Sequence, residues 1–149
     1  MALAKTKKIP KTILISFRIL SVVFGLIFLL TILSVIAFGF NHFFARALMY
    51  FGFAGVNAML AFGFWKAQRW LATLLGGSVI IILVINIARL AVGTTSVIQA
   101  LTGFIILGIL FLATYFSRDY MEGEYKNPKV IGLFLFFLIL SQVAFFFLK

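Results

Sequence analysis

Cysteine is absent from the 149-residue chain, histidine occurs once (His42), and only three residues are acidic, Asp119, Glu122 and Glu124. Each scarcity removes a class of chemistry. Without thiols there are no disulfides, thiolate metal sites, iron–sulfur clusters or thiol redox cycles. All three carboxylates fall between Ser117 and Lys129, outside every long apolar run. Proton relays in pumps and carriers are built from carboxylates or histidines within the membrane, so proton-coupled transport is disfavoured, although pores lined by backbone or amides are not. One histidine in a connecting loop supplies no ligand for haem in a helix bundle. Gly76-Gly77-Ser78 superficially resembles a nucleophile turn, but Ser78 lies within a continuous apolar run and lacks a base. No catalytic residue, cofactor site or metal site is therefore expected. The three loop carboxylates could offer oxygen ligands to a hard cation, but Arg118, Lys126 and Lys129 leave that loop neutral, and a solvated turn of mixed charge is the simpler expectation.

Charge is scarce as well. Only 11% of the residues are charged and 64% are hydrophobic, too few polar groups to cover the surface of a water-soluble domain. The apolar residues form five runs, Ile13–Phe40, Ala47–Phe64, Leu71–Val92, Val97–Phe116 and Val130–Leu148. Each approaches the ~17–25 residues that a helix needs to cross a bilayer. A spanning backbone must satisfy its hydrogen bonds internally, and continuous rather than alternating apolar runs select helices over a barrel. The prediction is an all-α integral membrane protein, one compact bundle of five transmembrane helices over residues 19–40, 47–64, 71–92, 97–116 and 130–148. Residues 1–18 form a basic interfacial segment. The basic N-terminus also fits a secretory signal, but the apolar stretch after it is too long for one, and an uncleaved first span is the better reading.

The net charge of +10 would suggest nucleic acid in a soluble protein. Here the basic residues gather at run ends, where they face anionic headgroups, and nucleic acid is not an expected partner. Ten of the thirteen Lys and Arg residues fall on one side of the predicted layout; Arg46, Arg89 and Lys149 fall on the other. The positive-inside rule then puts the N-terminus in the cytoplasm and the C-terminus outside. Trp65, Lys66, Arg69 and Trp70 form an aromatic and basic junction expected to anchor that face, and Tyr115, Tyr120 and Tyr125 border the next loop on the same face. The first run, at ~1.5 Å per residue, would reach about 42 Å against a ~30 Å hydrocarbon core, so the crossing is placed from Ile19 onward. Thr95 or Ser96 is expected to cap the fourth helix, and Asn127–Pro128 to open the fifth.

A few polar residues interrupt the runs. Asn86 and Arg89 are three apart and share a helix face. Arg89 either snorkels to the nearby interface or contributes to an outward-facing polar pocket with Asn57, Gln99 and Arg46, suited to an anionic headgroup or small polar ligand. Asn57 lies among Ala54, Gly55, Ala58 and Ala61, a setting that suits helix packing. Ala72, Gly76 and Gly77 offer a matching small face on the third helix.

The stretch Gly63-Phe64-Trp65-Lys66-Ala67-Gln68-Arg69-Trp70-Leu71-Ala72 resembles a junction of small prokaryotic membrane proteins with about four helices. Phe17-Arg18-Ile19-Leu20, followed by Gly25-Leu26-Ile27-Phe28, resembles the start of DoxX-like proteins. The resemblance covers some twenty residues, implies a bacterial or archaeal cytoplasmic membrane, and carries over no active-site residue; the fifth run departs from the four-helix pattern. The function expected is that of a non-enzymatic accessory or assembly subunit, in contact with the lipid bilayer and with a membrane-protein partner or further copies of itself. The alternative is a small transporter or lipid- or anion-binding protein using the pocket around Arg89, and an intramembrane enzyme ranks third.

Overall fold

Long apolar sequences with strong helix formers and good caps give long helices. The computed structural model describes residues 9–38, 44–93, 95–123 and 127–146. Five α-helices follow one another: α1 (Lys11–Phe38), α2 (Phe44–Trp65), α3 (Trp70–Ala91), α4 (Val97–Phe116) and α5 (Pro128–Phe146), with a short 3-10 turn at Arg118–Tyr120. No strand occurs among the described residues, so the chain is all-helical. The predictions for His42, Glu124, Tyr125, Lys126 and Lys149, and for the side chain of Arg46, lie outside the described residues.

The expected caps form. Ser96 accepts from the Gln99 backbone N–H, and the Gln99 side chain accepts from Ser96 N, a complete capping box at the start of α4. Asn127 accepts from Val130 N at 3.3 Å through its side chain, and Pro128 occupies the first position of α5, where its missing N–H costs nothing. α1 runs unbroken for 28 residues from Lys11, so residues 11–18 are helical and continuous with the crossing expected from Ile19. Its early turns are held by packing, since Phe17 is buried and its ring lies 5.6 Å from that of Phe64 in α2.

α2 is the central element, packed along α1 on one side and α5 on the other, while α3 and α4 pack mainly on each other. α3 enters the core with its first half only; its buried residues end at Ser78. Two devices set the distances around α2. Ser21 in α1 donates to the Ala61 carbonyl in α2 at 2.7 Å. Gly52 lets α5 approach so closely that a Cβ there would sit 2.5 Å from Ser141 N and 2.7 Å from the Phe137 carbonyl oxygen. The Ser21 bond spans two helices, and Ser21→Ala is expected to lower stability by about 1 kcal/mol, read as a lower midpoint in detergent unfolding.

The distribution of polarity is inverted relative to a soluble bundle. Large aliphatic and aromatic side chains point outward along every helix, among them Leu30, Ile36, Ile80, Ile98, Phe116 and Phe136. Buried polar side chains point inward, and each donates to a backbone carbonyl: Thr31 to Ile27, Asn57 to Phe53, Ser78 to Leu74, Thr114 to Leu110, Ser141 to Leu138. Helices α1 to α4 are long and apolar enough to cross a membrane; the apolar helix found over α5 is shorter, Pro128–Gln142.

Candidate functional site

The four residues expected to form a polar pocket are distributed over two separate parts of the bundle. Asn57 is buried in α2, and its amide donates to Phe53 of its own helix at 2.8 Å. Asn86 reaches across to the Ala100 carbonyl of α4 at 3.4 Å. Gln99 is committed to the cap of α4, where it also meets the Thr95 hydroxyl at 3.3 Å. Arg89 is half-buried in the last turn of α3. Asn57 bonds within its own helix, which packs on α1 and α5, while the helices of the other three pack mainly on each other. The structure thus places Asn57 as an amide bonded within α2, and Asn86, Arg89 and Gln99 at the end of the α3–α4 hairpin.

The junction between α2 and α3 also differs from expectation. Trp65 and Lys66 are exposed, and the Arg18 guanidinium lies 3.7 Å from the centre of the Trp65 ring, a cation–π contact. Trp70, expected as an anchor at the surface, is instead a core residue with 5% of its area exposed. Gly63 makes room for it: a Cβ there would lie 2.6 Å from the indole Cη2. Arg69 is half-buried, and its Nε donates to the Met121 carbonyl at 2.7 Å.

That bond belongs to a structure the sequence did not announce. α2 ends in a Schellman arrangement, with Gln68 N donating to the Gly63 carbonyl and Ala67 N to that of Phe64. Ala67 takes the left-handed position usually filled by glycine, at φ 47°. Its carbonyl accepts from Glu122 N at 2.8 Å, and Arg69 N donates to the Glu122 carbonyl at 2.9 Å. The loop after α4 is therefore stitched to the loop after α2, and between the stitches the Met121 side chain is driven fully into the core beside Phe64, Trp70, Leu71 and Phe134. In the loop expected to be a solvated turn, the described residues 117–123 form a plug held by these bonds, although the Glu122 and Asp119 side chains remain exposed. The one available signal was an aliphatic side chain, Met121, isolated in a polar segment.

Next to this plug a groove of about 290 Å³ opens between the first half of α3 and the last turns of α4. Its floor is Ala72, Thr73, Gly76 and Gly77, its wall Phe111 and Tyr115, and its mouth Arg118. Gly76 touches the wall, since a Cβ there would lie 2.9 Å from Phe111 Cε2, whereas a Cβ at Gly77 would meet nothing within 4 Å. The Arg118 guanidinium is stacked 4.0 Å from the Tyr115 ring centre, and its Nε lies 3.9 Å from Asp119 Oδ1 in a loose, exposed pair. Such a pair contributes at most about 1 kcal/mol. The groove is mostly carbon-lined below, apart from Thr73, and cationic above. Ser78, the residue of the nucleophile-like triplet, is buried and donates to Leu74, and no cluster of three His, Asp or Glu suited to a metal ion occurs among the described residues. No protein-family model, curated protein or solved structure matches this chain.

Proposed function

We propose that the chain is a five-span protein of a prokaryotic cytoplasmic membrane, N-terminus inside and C-terminus outside, that acts by binding other membrane components as an accessory subunit rather than by catalysis. The observation that carries the membrane reading is the inverted polarity of the bundle. Outward-facing residues such as Ile36, Ile80 and Ile98 would each cost free energy in water, whereas in hydrocarbon they are at home. Inward hydroxyls and amides satisfied by backbone carbonyls are what an apolar solvent demands. The bias of Lys and Arg toward one set of loops supports the orientation, and the 19 residues of α5 support a fifth crossing, which takes ~17–25. The accessory role rests on how the polar side chains are used. Buried hydroxyls and amides within the helices are spent on backbone carbonyls, which supports contact rather than chemistry as the task.

Topology has a direct test. Alkaline phosphatase fused after Lys149 is expected to be active and green fluorescent protein at the same position dark. A fluorescent fusion would refute five spans with the N-terminus inside. For the accessory role, the full chain purified in mild detergent is expected to carry a stoichiometric membrane-protein partner, and a solitary, monodisperse chain would overturn it. The groove beside Arg118 favours a second reading, lipid binding, because its lining is amphipathic.

A further inference from the structure

We infer that the groove between α3 and α4 is a binding site for one anionic phospholipid, held with its acyl chain over Gly76 and Gly77 and its phosphate at Arg118. The inference rests on the membrane reading above but not on the accessory role. Three features of the groove match such a ligand and no simpler one. Its lower part, Ala72, Gly76, Gly77 and Phe111, is mostly carbon, with the Thr73 hydroxyl the one polar side chain of the floor. From Ala72 to Gly77 the helix rises about 8 Å, so the floor runs along the direction an acyl chain takes from the loop level inward. Its upper end carries the Arg118 guanidinium, 4.0 Å from the Tyr115 ring centre, and a planar guanidinium suits the paired oxygens of a phosphate. The pair of Arg118 with Asp119 is weak, 3.9 Å long with side chains 40% and 73% exposed.

Position agrees with chemistry. Arg118 lies one residue beyond the Ser117 C-cap of α4, on the loop stitched to the basic junction of Lys66 and Arg69. A membrane whose surface crosses this level brings anionic headgroups to the groove mouth and chains to its floor. A transmembrane helix from a second copy would seat on the same small residues, but its apolar face has no use for a guanidinium at the mouth, whereas a lipid phosphate does, so the lipid is the better match.

The test is native mass spectrometry of the full chain in mild detergent with phosphatidylglycerol, with phosphatidylcholine, and with millimolar inorganic phosphate alone. The wild type is expected to retain one phosphatidylglycerol about fivefold more strongly than phosphatidylcholine, the preference one basic residue near a surface confers. Arg118→Gln should remove that preference, while Arg118→Lys keeps most of it. Gly77→Leu should weaken retention of both lipids, since the new side chain grows into open groove space. Arg118 is partly exposed, so its variants remain decisive even if Gly77→Leu fails to fold. Equal retention of both lipids by the wild type, or an unchanged preference in Arg118→Gln, overturns the inference. Displacement of the lipid by inorganic phosphate would assign the mouth to a free anion and overturn it too. Loss of cross-linked dimer in Gly77→Leu with lipid retention intact would give the groove to a helix instead. None of these outcomes bears on the fusion reporters, so failure here and failure of the membrane reading are distinguishable.

Discussion

Gly52→Val is expected to cost about 3 kcal/mol or more and to leave little of the chain monodisperse. The reason is the identity of the atoms in the way. A Cβ at position 52 meets the Ser141 nitrogen at 2.5 Å and the Phe137 carbonyl oxygen at 2.7 Å, which belong to the backbone of α5 and cannot swing aside as a side chain could. α5 must move bodily, and with it Phe134 and Leu138, which are buried in the common core. Gly55, one turn along, already lies against the Phe137 ring, so rotation about α2 offers no escape. Gly25→Ala provides the contrast. Nothing lies within 4 Å of a Cβ there, and alanine in place of a mid-helix glycine is expected to stabilise by roughly 0.5–1 kcal/mol. Denaturation in mixed micelles with increasing dodecyl sulfate measures both. Equal midpoints for the two variants would refute the close approach of α2 and α5.

Met121→Ala comes second, with an expected loss of about 3 kcal/mol. The side chain is fully buried among residues from α2, α3 and α5, and its removal leaves a cavity that the fixed loop cannot fill. The backbone on either side is tied down, by Arg69 Nε on the Met121 carbonyl and by the bonds joining Ala67, Arg69 and Glu122. The loss should therefore appear locally as well as globally, with faster tryptic cleavage after Arg118. Met121→Leu, similar in volume, should cost under about 1.5 kcal/mol and leave cleavage unchanged. An alanine variant as stable and as resistant as the leucine variant would show that the plug does not hold the loop.

Much of the helical framework was readable because its determinants are local. Apolar length located the helices, α4 was placed at its observed bounds, and Ser96 and Asn127 announced their own caps. Which side of each helix faces inward was not readable. In soluble helices a polar face marks the outside; here both faces are apolar, and burial is decided by where a neighbour comes close. Trp65 and Trp70 illustrate the point, being one residue type five positions apart with opposite fates. Trp70 is buried because Gly63 yields space on α2, a fact of tertiary geometry. The placement of the polar residues has a related reason. Asn57 in an apolar run suits helix packing or a ligand, and here its amide is taken by the carbonyl of Phe53 one turn earlier. The small face of Ala72, Gly76 and Gly77 was visible in the sequence, but its pairing with Phe111, Tyr115 and Arg118 depends on the register of two antiparallel helices.

The central place of α2 has a consequence for biosynthesis. Its two long neighbours come from opposite ends of the chain, and the glycines that receive α5 precede Phe137 by about 80 residues. At ~5–20 residues per second of synthesis, the notch at Gly52 and Gly55 stands open for some 4–16 s after it has been made. During that interval α1 and α2 can pair as a hairpin, and α3 can follow with α4, while the notch awaits its occupant. A nascent chain stalled before residue 128 would present that notch to whichever small-residue helix arrived first, so the order of translation, as much as final stability, governs whether α5 finds its seat.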